Sequence, residues 1–240
     1  MTVQKDAYTY SIVYNGEIYN MKELKKELIK QGEVFSTSSD TEVILKGYVR
    51  EGASYVKKLN GIFAIAIWDA REEALYLFRD RLGVKPLFYC FQDDTLIFAS
   101  ELKGLFCFPG VEPKVDREGL CEIFALGPAK SYGKGVFQNI REVLAGHFLR
   151  WSRRSFRDEV YWELKSEPHE DSMEKTVEKT SYLIHDAVRK QMLSDIPIST
   201  FLSGGVDSSL VTAICARELE KQGKIIPAFL DSASHNVNIL

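Results

Sequence analysis

Four cysteines in 240 residues, with no CxxC pair and no His-rich neighbourhood, exclude a disulfide framework and a zinc site as the source of stability. Cys90, Cys107, Cys121 and Cys215 are expected to be reduced, partly buried thiols. No run approaches the ~18–20 unbroken apolar residues of a membrane span, and MTVQKDAYTY lacks the apolar core of a signal peptide. The chain is therefore expected to be cytoplasmic. Excess charge is missing too. Lys and Arg number 31 against 34 Asp and Glu, a net charge of −3, which gives no electrostatic case for nucleic acid or an anionic membrane. Arg150, Arg153 and Arg154 form the one basic knot, which reads as a solvated loop. There is no internal repeat and no low-complexity tract. What is present is 45% hydrophobic residues, enough for a sizeable core in one domain or two.

The β-branched and aromatic run from Tyr10 to Tyr14 predicts a strand almost at the start. Asn20 then reads as a helix N-cap with Glu23 completing a capping box, Leu24, Leu28 and Ile29 as the apolar stripe, and Gly32 as the stop. Asp40 has the same capping role for TEVILKGYVREG, which Gly52 ends. GIFAIAIWD (61–69), ALYLFRD (74–80), PLFYCF (86–91) and TLIFAS (95–100) read as a meander of antiparallel strands. Short helical patterns (101–106, 116–126), a glycine-bearing loop (127–135) and strands near 147–152 and 156–163 follow. KSEPHEDSMEK (165–175) is polar, contains Pro168 and marks a linker. After it come a long helix over about 174–193, a buried strand PISTFL, an amphipathic helix over 207–222 and the strand IIPAFL. Strand, turn, helix and strand make one βαβ unit of a parallel sheet. The division is thus 1–164 and 165–240.

SGGVDSS (203–209) sits between that strand and helix, where glycine-freed backbone N–H groups and a helix N-terminus suit phosphate oxygens. Gly204 and Gly205 permit close approach, and Ser203, Ser208 and Ser209 add hydroxyl donors. Asp207 is placed to bind Mg²⁺ bridging a phosphate. A serine-rich cap would be the better account of a bare SGG; the seven-residue string in this context favours phosphate. It resembles the pyrophosphate-binding loop of ATP pyrophosphatases and, without a GK[ST] ending, is not a Walker A motif. YNGEIYN (14–20) is expected at the end of the first strand, with Asn15 and Gly16 in a turn before the helix.

VYNGEIYN, SSDTEV (38–43), LNGIFAIAIWD (59–69), RDRLGVKPLFY (79–89) and FASELKGL (98–105), with SGGVDSS downstream, resemble glutamine-hydrolysing asparagine synthetases in order and spacing over about residues 8–230. The resemblance implies an α+β amidotransferase (Ntn-hydrolase-like) fold of antiparallel sheet layers. The first βαβ part of an α/β doubly wound adenine-nucleotide domain follows. It implies ATP-dependent conversion of aspartate to asparagine through β-aspartyl-AMP, using ammonia released from glutamine and passed through an internal tunnel. By motif match, Asn15 (side-chain amide) and Gly16 (backbone N–H) look like the oxyanion hole. Glu17 and Asp40 resemble the groups that hold the amino-acid end of glutamine, Asp40 on the ammonium. Leu202, Ser203, Gly204, Gly205, Asp207, Ser208 and Ser209 look like the ATP and pyrophosphate loop, with Mg²⁺ at Asp207. Glutamine, aspartate and ATP are the implied small-molecule partners, with a homodimer as a candidate assembly.

The departures from the family are at the ends. The family opens Met-Cys-Gly-Ile, its cysteine supplying both the nucleophilic thiol and the free α-amine that acts as base; here the first residues are Met1, Thr2 and Val3, and the first cysteine is Cys90, inside a strand. Simple truncation accounts for this better than Thr2 acting as an N-terminal nucleophile, or Cys90 or Cys121 standing in. The tail DSASHNVNIL does not resemble the family's continuation. The expectation is an incomplete piece of both domains, inactive alone and poorly soluble through open sheet edges. Two alternatives stay open: a non-catalytic amidotransferase-like remnant or interaction module, and another ATP-pyrophosphatase amide ligase such as a β-lactam synthetase.

Overall fold

The computed structural model describes residues 1–127 and 131–230. The tail DSASHNVNIL and part of the expected 127–135 loop lie outside the described residues. The chain divides into two compact units, Met1–Lys165 and the residues from Ser166 on.

In the first unit a short strand, β1 (Thr2–Lys5), precedes the expected one and pairs with β2 (Tyr8–Ile18). The connecting residues Asp6 and Ala7 both have positive φ, 50° and 68°, which fits a tight hairpin of the mirror-image type. Alanine is not a signal for such a turn, so this strand was not legible. Strand β2 is also longer than expected: Asn15, Gly16 and Glu17 are ladder residues rather than a turn.

Helix α1 (Met21–Lys30) follows, and Asn20 is not its side-chain cap. Its amide donates instead to the Lys58 carbonyl at 2.9 Å and its oxygen accepts from the Asn60 N–H at 2.9 Å, tying the helix start to a distant loop. Helix α2 (Asp40–Glu51) is capped by Ser39, whose hydroxyl accepts from the Thr41 N–H. Asp40 is thus the first helical residue, and its carboxylate is free for other work. Gly52, at φ 68°, ends the helix and opens a 3₁₀ turn, Gly52–Lys58.

Strands β3 (Gly61–Asp69), β4 (Ala74–Arg79), β5 (Phe88–Gln92) and β6 (Thr95–Ala99) stand where the apolar runs put them. They are not one meander. After α3 (Leu102–Leu105), α4 (Arg117–Leu126) and β7 (Arg141–Glu142), the strand β8 (His147–Ser152) returns to pair with β4, and β9 (Ser155–Val160) closes a hairpin with it. One sheet runs β1-β2-β3-β4-β8-β9 and a second β6-β5-β7. Neighbours in sequence did not decide the partner of β4, because its second edge is met by a strand some 70 residues on.

Burial on both faces explains the unbroken apolar run of β3. Phe63, Ile65 and Ile67 pack with Leu24, Leu28, Val43 and Leu45 of the helices. Ala64 and Ala66, on the opposite face, are small enough for Tyr89 and Leu96 of the second sheet, and Leu87 just before it, to approach. That sheet in turn buries Phe88 and Cys90 against Leu105 of α3. The order is helices, sheet, sheet, helix, as expected of an α+β amidotransferase fold.

In the second unit α5 (Met173–Gln191) begins inside the expected linker, capped by Ser172. Strands β10 (Thr200–Leu202) and β11 (Ala228–Leu230) pair in parallel around α6 (Val206–Glu220).

Candidate functional site

Among the described residues no strand pairs with the outer edge of β2 beyond Ile12, which bonds to Met1. Gly16 faces Phe63 across the β2–β3 ladder. Both backbone groups of Phe63 are taken on its other side: its N–H donates to Asp80 Oδ2 at 3.2 Å and its carbonyl accepts from the Asp80 N–H at 2.9 Å. Opposed residues in an antiparallel ladder alternate between bonded and non-bonded pairs, and the groups of a non-bonded pair point away from each other. The N–H of Gly16 therefore points out of the open edge. Two residues on, Ile18 has the same orientation, and its N–H donates to Asp40 Oδ2 at 3.3 Å. The same oxygen accepts from the Tyr14 hydroxyl at 2.8 Å. Burial, aided by Asp40, pushes the Tyr14 hydroxyl above its ordinary pKa, so it stays a donor.

One strand edge thus gathers a free backbone donor and a carboxylate. The Asn15 side chain, exposed on the opposite sheet face from the helices, donates its amide to the Ser100 hydroxyl at 3.3 Å. Glu17 is exposed on the same side of the strand as Asn15. Glycine at 16 is required by space: a Cβ there would lie 2.1 Å from the Ile62 carbonyl oxygen.

Glu42, a residue the sequence did not single out, ties the segment before Asp40 to helix α2. Glu42 is buried, and its carboxylate accepts from the backbone and hydroxyl groups of Ser36 and Thr37 and pairs with Lys46 at 2.9 Å. Burial pushes its pKa up, but hydrogen bonds from Thr37, Ser36 and Lys46 outweigh it and bring the value down to about 2. A depressed carboxylate stabilises the fold above its unfolded pKa, near 4.5, and loses that contribution as pH falls toward 2. Urea midpoints are expected to drop over that window in the native chain and to drop less in Glu42→Gln. Parallel pH curves for the two proteins would exclude the role.

In the second unit, Gly204 has φ 80° and a Cβ there would meet open space. Ser208 and Ser209 donate their hydroxyls to the Gly205 carbonyl, and Ser203 and Ser208 lie 3.0 Å apart. The first helical bond runs from the Ser209 N–H to Gly205, so the N–H groups of Val206, Asp207 and Ser208 have no partner within the helix. Leu202 ends β10 just before the loop, and Asp207 is exposed in the first turn of α6. Among the described residues no three His, Cys, Asp or Glu side chains cluster as a metal site. A single carboxylate suits an ion shared with phosphate oxygens better than one held by protein alone.

Residues 1–162 match the family model described as a glutamine amidotransferase domain. The chain belongs to this glutamine amidotransferase family. Beyond the amidotransferase unit, residues 179–230 match the asparagine synthase model. Asparagine synthetase [glutamine-hydrolyzing] 3 of Bacillus subtilis (strain 168) is 47% identical over 216 residues, covering 90% of this chain and 35% of that protein. Putative asparagine synthetase [glutamine-hydrolyzing] 2 of Methanocaldococcus jannaschii is 39% identical over 207 residues, covering 85% and 39%. Amidase chyE of Penicillium rubens is 33% identical over 217 residues, covering 88% and 31%. The chain spans about a third of the length of these relatives. Among solved structures, glutamine phosphoribosylpyrophosphate amidotransferase from B. subtilis aligns with a TM-score of 0.49 at 19% identity, over 95% of this chain and 46% of that one. No helix among the described residues is long and apolar enough to cross a membrane.

Two residues at the site went unassigned in the sequence although both lie in quoted motifs: Tyr14 in YNGEIYN and Ser100 in FASELKGL. Their partners are 26 and 85 residues away, which no local pattern encodes.

Proposed function

We propose that the amidotransferase unit binds glutamine as an amide donor, within a protein of the glutamine-hydrolysing asparagine synthetase type. One observation carries this: the outward Gly16 N–H and the Asp40 carboxylate share one edge of β2, with the Asn15 amide one residue before Gly16. Gly16 and Asn15 would meet the negative charge that develops on the carboxamide oxygen, and Asp40 would hold the α-ammonium, with Glu17 beside it. Fixed donors of this kind need no reorganisation as charge forms. The attacking group is not Cys90, which is buried with its thiol pKa raised by that burial. Nor is it Thr2: this residue pairs with Ser11, five residues or about 17 Å along β2 from Gly16.

The SGGVDSS loop would hold the phosphates of ATP on the N–H groups of Val206, Asp207 and Ser208. Asp207 would take part in holding Mg²⁺, which supplies charge neutralisation of pyrophosphate when bound. In the whole protein these two sites would serve ATP-dependent amidation of aspartate by glutamine-derived ammonia, in the cytoplasm.

Calorimetric titration tests the reading. The 240-residue chain is expected to bind L-glutamine in preference to L-glutamate, and Asp40→Asn and Asn15→Ala each to weaken binding about tenfold or more. Equal affinity for the two amino acids, or no loss in either variant, would refute it.

A further inference from the structure

Asp80 is 1% exposed and, among the described residues, pairs with no cation. Four backbone N–H groups converge on its carboxylate. Leu82 and Val84 donate to Oδ1 at 3.1 and 2.9 Å, and Lys85 and Phe63 donate to Oδ2 at 2.9 and 3.2 Å. Strand β4 ends at Arg79, so no further ladder residue holds β3 at Phe63. The Asp80 side chain makes the bond that a next strand residue would have made, and its own N–H takes the Phe63 carbonyl.

Phe63 in turn sets Gly16. The two backbones are so close that a Cβ on Gly16 would sit 2.7 Å from the Phe63 Cα. We infer that Asp80 is a positioning residue for the amide-donor site. By occupying both backbone groups of Phe63 it fixes this end of β3, and through the close contact it fixes the outward direction of the Gly16 N–H. Asp80 itself touches no substrate. The inference rests on Gly16 being an oxyanion donor, and it assigns the Asp of RDRLG a role that the motif match left blank.

The test compares two buried carboxylates at opposite ends of β3. Asp69, 5% exposed, ends β3 and accepts from the N–H groups of Arg71 and Glu72 and from the Tyr48 hydroxyl. It lies six residues, about 20 Å, from Phe63. Asp80→Asn turns an amide NH₂ toward backbone N–H groups, so at least one of them loses its acceptor; Asp69→Asn does the same at the far end. Two quantities are measured on the full chain: L-glutamine affinity, and amide hydrogen exchange at Asn15, Glu17 and Phe63 after correction for global stability. Asp80→Asn is expected to weaken glutamine about tenfold and to speed exchange at those three amides about tenfold, while Asp69→Asn moves neither. Equal effects in both variants, or unchanged affinity in Asp80→Asn, would overturn the inference. If the native chain binds no glutamine, the amide-donor reading falls, and the exchange data alone decide whether Asp80 holds Gly16. If Asp80→Asn does not fold, Asp80→Glu, which keeps the charge and displaces it by one methylene, is read in the same way.

Discussion

Alanine at position 16 is expected to cost unit Met1–Lys165 about 2–3 kcal/mol of stability and to remove measurable glutamine binding. The added Cβ would lie 2.1 Å from the Ile62 carbonyl oxygen and 2.7 Å from the Phe63 Cα. Both are backbone atoms of a strand buried on two faces, so neither can yield by a rotamer change. The strands must part, and the φ of +156° at Gly16 is itself one that residues with side chains rarely adopt. Parting them turns the Gly16 N–H and disturbs the Ile18 N–H to Asp40 bond two residues on. Asn15→Ala serves as the contrast: its side chain is exposed, so stability is expected to change by no more than about 0.5 kcal/mol while affinity falls. Urea unfolding of both variants checks this, and a Gly16→Ala protein as stable as the native chain would show that β2 and β3 are not so closely apposed.

The second large effect is expected at Arg79, which ends β4 and is 8% exposed. Its guanidinium donates to the Lys85 carbonyl at 3.0 Å, to Val143 at 2.7 Å and to Gly83 at 2.8 Å, and pairs with Glu142 at 2.8 Å. This fork joins the loop after β4 to the segment leading into β8, and so fixes where the second sheet departs from the first. Arg79→Met fills similar space but strands one buried and two partly buried carbonyls and removes the partner of Glu142, a loss of about 3–5 kcal/mol. Lysine should rescue little, since one ammonium cannot reach three divergent acceptors. Guanidinium unfolding is the measurement; a loss under about 1 kcal/mol would mean that the network is dispensable.

Arg79 and its neighbour Asp80 mark the limit of what was legible. RDRLGVKPLFY stood out in the sequence as a family string, yet nothing in its letters says that Arg79 and Asp80 knit a loop rather than bind a ligand. Their partners are carbonyls and N–H groups, which every residue carries and no sequence distinguishes. Asp40 was expected to cap a helix because Asp is a good capping residue, but Ser39 is equally good and lies one position earlier. In the structure Ser39 caps the helix, and Asp40 accepts from Tyr14 and Ile18 instead.

The sequence by itself determined the extents of β3, β4, β6 and α4 to within a residue or two, the place of the SGGVDSS loop between strand and helix, and the family. Periodicity and glycine placement record burial and backbone freedom, which are local. Only the tertiary structure decided that β4 pairs with β8, that the strands split into two sheets, that an unannounced hairpin precedes Tyr8, and that Asn15 and Gly16 lie in a ladder. It also decided that the Gly16 N–H is left free. The reason is the same each time: which edge a strand offers, and which of its N–H groups is spent, depends on a partner far along the chain, and the period of two in a strand gives its faces without naming its neighbours.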